Sequence, residues 1–174
     1  MGADETEVLS AVSYQFDDRT QPSSGKEEIE AWTKFTFPGR QGKYNDYQWN
    51  WKNFSGVDYD AREKDHAIFN FANKGWAPKV DDENGNFDYL MGCNLDMENP
   101  DTIEQLDKWG KWYQELTDVD GYRLDAVKHI RFDLFVDWLL HRREEKGEEL
   151  FVVGEYWSDE LDKLQEYLDS SGNL

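Results

Sequence analysis

Two carboxylates stand out by position. Asp125 closes Gly121-Tyr122-Arg123-Leu124-Asp125, and Glu155 closes Leu150-Phe151-Val152-Val153-Gly154-Glu155; each ends a short run of strand-forming residues. Two carboxyl groups gathered at strand ends can divide nucleophilic and acid/base work at a sugar acetal. Arg123 and Asp125 lie two residues apart, so in a strand they share one face. A guanidinium that close holds the carboxylate ionised and oriented, as a nucleophile requires. Taken alone, that spacing is more often a structural ion pair. Glu155 is followed by Tyr156 and Trp157, surroundings that strip water from a carboxyl and keep it protonated for general-acid work. The plain alternative is a surface Glu after a strand.

The elements that must position these groups change character near residue 99. Residues 1–98 are loop-rich, punctuated by Gly, Asn and Asp, with short strands expected at Val8 to Phe16, Trp32 to Phe37, Ala67 to Phe71 and Phe87 to Met91. One short helical period is read at Lys26 to Trp32. From Asn99-Pro100-Asp101 a helix starts, with Ile103, Leu106, Trp109, Trp112 and Tyr113 at helical spacing to about Leu116. A strand over Gly121 to Ala126, a helix over Phe132 to Lys146 stopped by Gly147, a strand over Leu150 to Gly154 and a helix from Ser158 to Leu168 follow. That alternation predicts parallel strands with crossover helices, so residues 99–174 are α/β.

Composition narrows the partners. The net charge is −19, from 38 acidic against 19 basic side chains, which repels phosphate backbones and anionic lipid headgroups. Nucleic acid and membrane are therefore not expected partners, and no obligate protein partner is evident. Cys93 is alone and forms no intrachain disulfide. Asn53-Phe54-Ser55 fits a glycosylation acceptor, a tripeptide that arises often by chance. The acidic run Asp81-Asp82-Glu83-Asn84-Gly85 has the look of a calcium loop. Aligning Gly85 with the EF-hand glycine, however, puts Val80 and Met91 at ligand positions, and the run is better read as a solvated turn. Trp32, Trp49, Trp51, Trp76, Trp109, Trp112 and Trp138 are expected to be scaffold.

Asp120 to His129 and Gly154-Glu155-Tyr156-Trp157 closely resemble the nucleophile and acid/base motifs of the bacterial α-amylases, retaining glycoside hydrolases of the liquefying and intracellular type. The resemblance extends from Gly2-Ala3-Asp4 through Phe37-Pro38-Gly39-Arg40 to the end of the chain. It implies part of a (β/α)₈ TIM barrel, strands four and five with their helices over 99–174, carrying an inserted loop-rich β domain, the B domain, over 1–98. A whole barrel needs eight strands and roughly 250 residues.

It also implies roles. Asp125 is the nucleophile, Glu155 the acid/base and Arg123 the orienting residue, while Lys128, His129 and Trp157 contact substrate. The implied reaction is endo-hydrolysis of α-1,4-glucosidic bonds in starch, glycogen and maltooligosaccharides. Alternatives are a maltooligosaccharide-forming or transglycosylating relative, or a non-catalytic binder of carbohydrate or calcium. One calcium at most is implied, on Asp88, Asn94 and the His129 carbonyl, because Asn94, Ser55 and Ala77 stand where secreted members of the family carry acidic ligands. The family's third catalytic Asp would lie beyond Leu174 and its Asn-His before Met1, making Met1 an internal residue and the isolated chain inactive. The lone Cys and reduced calcium ligands lean toward a bacterial cytoplasm, with secretion as the alternative.

Overall fold

A computed structural model describes residues 3–147 and 149–172. Its first part is a five-stranded antiparallel sheet of β1 (Glu5–Tyr14), β2 (Glu27–Lys34), β3 (Phe54–Val57), β4 (Ile68–Phe71) and β5 (Asn94–Leu95), in the order β2-β1-β4-β3-β5. The core under it comprises Ala11, Ile29, Ala31, Phe54, Val57, Phe69 and Phe71.

The helical period expected at Lys26 to Trp32 is overturned. Ile29, Ala31 and Thr33 are buried in strict alternation with outward residues, and Leu9 pairs with Ile29 across the ladder. A period of two facing a partner strand outweighs a helical spacing seen over one turn. Phe87 to Met91, expected as a strand, is a loop, and β3 and β5 form where no strand was read.

The second part comprises α1 (Pro100–Thr117), β6 (Gly121–Leu124), α2 (Phe132–Lys146), β7 (Phe151–Gly154) and α3 (Leu161–Ser170). Asn99 caps α1 by accepting from the Asp101 N–H, with Pro100 at the first helical position. Gly147, with φ 72°, closes α2 in the left-handed conformation. β6 and β7 pair in parallel, Gly121 opposite Phe151 and Leu124 opposite Gly154, as an α/β unit requires. Leu124, Val127, Leu139 and Tyr167 form its core. The last helix starts after Glu160; Ser158, two residues before the cap, accepts from the Glu160 N–H.

The two parts are joined through residues 77–88. The Asp81 N–H donates to the Lys128 carbonyl at 3.0 Å, and the Phe132 N–H to the Lys79 carbonyl at 3.0 Å. Lys79 Nζ donates to Asp133 at 2.6 Å.

Candidate active site

The parallel ladder continues one residue past both strands. The Glu155 N–H donates to the Leu124 carbonyl at 2.8 Å, and the Val127 N–H to the Glu155 carbonyl at 3.1 Å. Between them Ala126 takes φ 51°, ψ 39°, a left-handed conformation that L-residues adopt at a cost. That reversal directly follows Asp125, the residue after β6, and leaves Asp125 and Glu155 side by side just past the strand ends.

Arg123 spans the pair, Nη1 donating to Asp125 Oδ1 at 2.6 Å and Nη2 lying 3.1 Å from Glu155 Oε2. The Arg123 guanidinium foremost holds the Asp125 carboxyl below the usual carboxylate range. Glu155 is only partly shielded from water. Its side chain is 37% exposed and that of Asp125 73%, while Trp157 is 78% exposed.

Beside the pair opens a cleft of about 910 Å³, lined among others by Glu155, Trp157, Lys128, His129, Phe87 and Glu83. Lys128 is buried there, its ammonium donating to Glu83 at 2.5 Å and to the Trp157 carbonyl at 2.8 Å. His129 Nδ1 donates to the Phe87 carbonyl at 2.8 Å, and burial pushes the imidazole below its usual range. The six residues expected at the reaction centre and its substrate contacts thus gather around two neighbouring strand ends.

Asp81 departs from its reading as a solvated turn. It is buried, accepting from the Tyr156 hydroxyl and from the Glu83 N–H at 2.8 Å, with Lys163 Nζ 3.6 Å away. Burial pushes its carboxyl up, but these partners together outweigh it and hold the group below the ordinary range. This buttress in the wall of the cleft joins residues 75 positions apart, and no local pattern announces it. Of the turn's three acidic residues, Asp82 and Glu83 keep the exposure expected of them.

Asp88, Asn94 and His129 line one small cavity of about 200 Å³. Asp88 is 3% exposed, and burial, reinforced by Asp96 and Glu98, pushes its carboxyl up to about 6 against donation from the Ala77 N–H and Asn94. Asn94 directs its amide nitrogen at both Asp88 and Ser55, 2.8 Å from each. A carboxylate, an amide oxygen and a main-chain carbonyl fit a hard cation. They supply about half of the six to eight oxygens that calcium takes, and only if the Asn94 amide turns over. Among the described residues no three His, Cys, Asp or Glu side chains cluster as a metal site.

Asn53 is no glycan acceptor here: it is buried, and its amide donates to the Tyr47 hydroxyl at 2.6 Å. The scaffold reading of the tryptophans also needs correction, since Trp32, Trp109 and Trp112 are 46%, 51% and 42% exposed.

No family model matches the chain. It is 50% identical over 169 residues to an α-amylase of Geobacillus stearothermophilus, an alignment covering 96% of this chain and 31% of that protein. The cytoplasmic α-amylase of Escherichia coli is 46% identical, over 97% of this chain and 35% of its own length. A glucan 1,4-α-maltohexaosidase of Bacillus sp. (strain 707) is 41% identical over 98% and 33%. A crystal structure of an Anoxybacillus α-amylase aligns with 46% of the chain, at 32% identity and a TM-score of 0.43. With half its residues identical along nearly its whole length, this chain belongs to the family of the bacterial α-amylases, and it spans about a third of the length of the relatives it matches.

Proposed function

We propose that the protein containing this chain hydrolyses internal α-1,4-glucosidic bonds with retention of configuration. The observation that carries the reading is Arg123 bridging Asp125 and Glu155 at adjacent parallel strand ends. Retention requires carboxyl groups about 5 to 5.5 Å apart, and two carboxyl groups that share one guanidinium, at 2.6 and 3.1 Å, support a closely set pair.

In this mechanism Asp125, kept ionised by Arg123, attacks the anomeric carbon while Glu155 gives its proton to the departing glycosidic oxygen. A glycosyl-enzyme ester on Asp125 results. Glu155, now a carboxylate, takes a proton from water, whose oxygen attacks the same carbon and releases Asp125. Lys128, His129 and Trp157 line the cleft where the leaving chain would lie. The fold we propose for the parent is the (β/α)₈ barrel, with β6 and β7 as neighbouring barrel strands and residues 1–98 as its inserted domain. A bound calcium would add positive charge between the loop carrying Asp88 and Asn94 and the turn carrying His129. The cytoplasm is the proposed location, in line with the name of the Escherichia coli relative; cell fractionation tests it.

The reaction is tested with Asp125→Asn and Glu155→Gln in the protein expressed from its complete reading frame. Each is expected to reduce release of reducing ends from starch to below a few per cent, with the parent enzyme's first product of α configuration by NMR. Activity above that level in either variant would overturn the roles. A first product of β configuration would overturn retention. Product sizes from starch separate this reading from a maltooligosaccharide-forming one, the alternative favoured by the maltohexaosidase relative.

A further inference from the structure

Asp81 touches both catalytic strand ends at once. Its main-chain N–H donates to the Lys128 carbonyl in the turn after β6, at 3.0 Å, and its carboxylate accepts from the hydroxyl of Tyr156, the residue after Glu155. The Glu83 N–H steadies that carboxylate at 2.8 Å, and Lys163 Nζ of α3 lies 3.6 Å from it. Asp81 is 5% exposed, buried where the two parts of the chain meet.

Tyr156 is the arm through which Asp81 reaches Glu155. Neighbouring residues of an extended chain point to opposite faces, so Glu155 lines the cleft while the Tyr156 ring turns into the helical layer. There it lies 5.1 Å from the Tyr167 ring of α3 and 6.5 Å from the Phe132 ring of α2. Ring packing of this kind allows sliding, whereas a hydrogen bond to a carboxylate fixes a point. The β6–β7 ladder itself stops at the Glu155 carbonyl, which accepts from the Val127 N–H. The end of a ladder frays, and the next residue, held by Asp81, is what stops it here.

That placement matters to a carboxyl that must act twice, first as acid on the leaving oxygen and then as base on water. A displacement of about 1 Å costs about a hundredfold in rate. A second tie, from Lys128 Nζ to the Trp157 carbonyl at 2.8 Å, spans the same two turns, so losing the Asp81 bond loosens Glu155 rather than freeing it.

We propose that Asp81 is a positioning residue for the acid/base carboxyl: its main chain is bonded to the turn that follows Asp125, and its side chain, through Tyr156, sets where Glu155 stands relative to that turn. The proposal rests on the hydrolase reading above.

The test uses the protein expressed from its complete reading frame and two substrates that differ in their need for an acid. Cleavage of maltoheptaose needs Glu155 to protonate the leaving oxygen. α-Maltotriosyl fluoride expels fluoride without that proton; added azide then attacks the anomeric carbon of the Asp125 ester, releasing the carboxylate and forming maltotriosyl azide with no base required. Tyr156→Phe, which keeps the ring, and Asp81→Ala are each expected to lower kcat on maltoheptaose about tenfold with KM within about twofold, while the fluoride–azide rate changes less than about twofold. Asp81→Asn, whose amide oxygen still accepts from Tyr156, should recover most of the loss. The double variant Asp81→Ala/Tyr156→Phe should be no slower than either single one. Thermal melts accompany each variant, and Tyr156→Phe decides the matter if Asp81→Ala unfolds. Equal losses on both substrates, or an unchanged kcat on maltoheptaose, would overturn the positioning role and leave the hydrolase reading standing. Glu155→Gln sets the limit of the same pattern; if it lost both rates equally, the acid/base role and the proposal resting on it would fall together.

Discussion

Asp133 shows how one residue ties the two parts of the chain together. Arg131 contacts it through Nε at 3.0 Å and Nη2 at 3.1 Å, and Lys79 adds a bond at 2.6 Å from the other part of the chain. The Arg131 pair foremost pulls its carboxyl down to about 2. A depressed carboxyl contributes stability that is present above its unfolded value near 3.9 and lost as pH falls toward 2. With a side chain 34% exposed, solvent screening leaves about 1 kcal/mol of that contribution. Asp133→Asn should thus lower the melting temperature at pH 7, and the gap from the parent should narrow below about pH 4 and close only toward about pH 2. A gap that does not change with pH would mean that the ion pairs are not its source.

Two contacts between elements carry their own tests. Gly110 sits where α1 crosses α2, and a Cβ there would come within 2.5 Å of the Trp138 ring and against the buried Arg142 guanidinium. Helix propensity alone would make Gly110→Ala stabilising by about 1 kcal/mol. Overpacking against an indole and a buried cation costs about 1–3 kcal/mol and should win, which a lower urea midpoint would show. The second contact is between the Asp88–Asn94 loop and the turn after β6. If calcium bridges them as proposed, millimolar calcium should raise the melting temperature, magnesium should not substitute, and Asp88→Asn should abolish the rise. Equal shifts by both ions would count against a specific site.

At the scale of the whole molecule, the parallel pair β6–β7 has few strands to cover its edges. Phe151 and Val153 of β7 are 72% and 48% exposed, and Leu161 at the start of α3 is 77% exposed. Strand edges and apolar side chains left open in this way favour association between chains. A polypeptide of these 174 residues expressed alone is expected to sediment as oligomers or aggregates at micromolar concentration. The protein from the complete reading frame, in which a barrel would cover those edges, should not share that behaviour. A monodisperse monomer of the short polypeptide would show that the open pair is self-sufficient.

The sequence by itself determined the α/β order of the second part, because α1, β6, α2 and β7 are each written by local patterns. Pro100 after a capping Asn99, a helical apolar stripe and Gly147 after Lys146 are readable within one or two turns. It also placed Asp125, Glu155 and Arg123 near strand ends, while the roles expected of them came from the resemblance of Asp120 to His129 and of Glu155-Tyr156-Trp157 to family motifs. The first part was less legible. Ile29, Ala31 and Thr33 are buried only because β1 lies beside them, and β3 and β5 are short strands whose partners are distant in the chain. The Asp81–Tyr156 buttress, the burial of Asp88 and the exposure of Trp109 and Trp112 were decided by tertiary structure alone. Each depends on which surfaces meet across tens of residues, and solvent accessibility is a property of that meeting rather than of any local run of side chains.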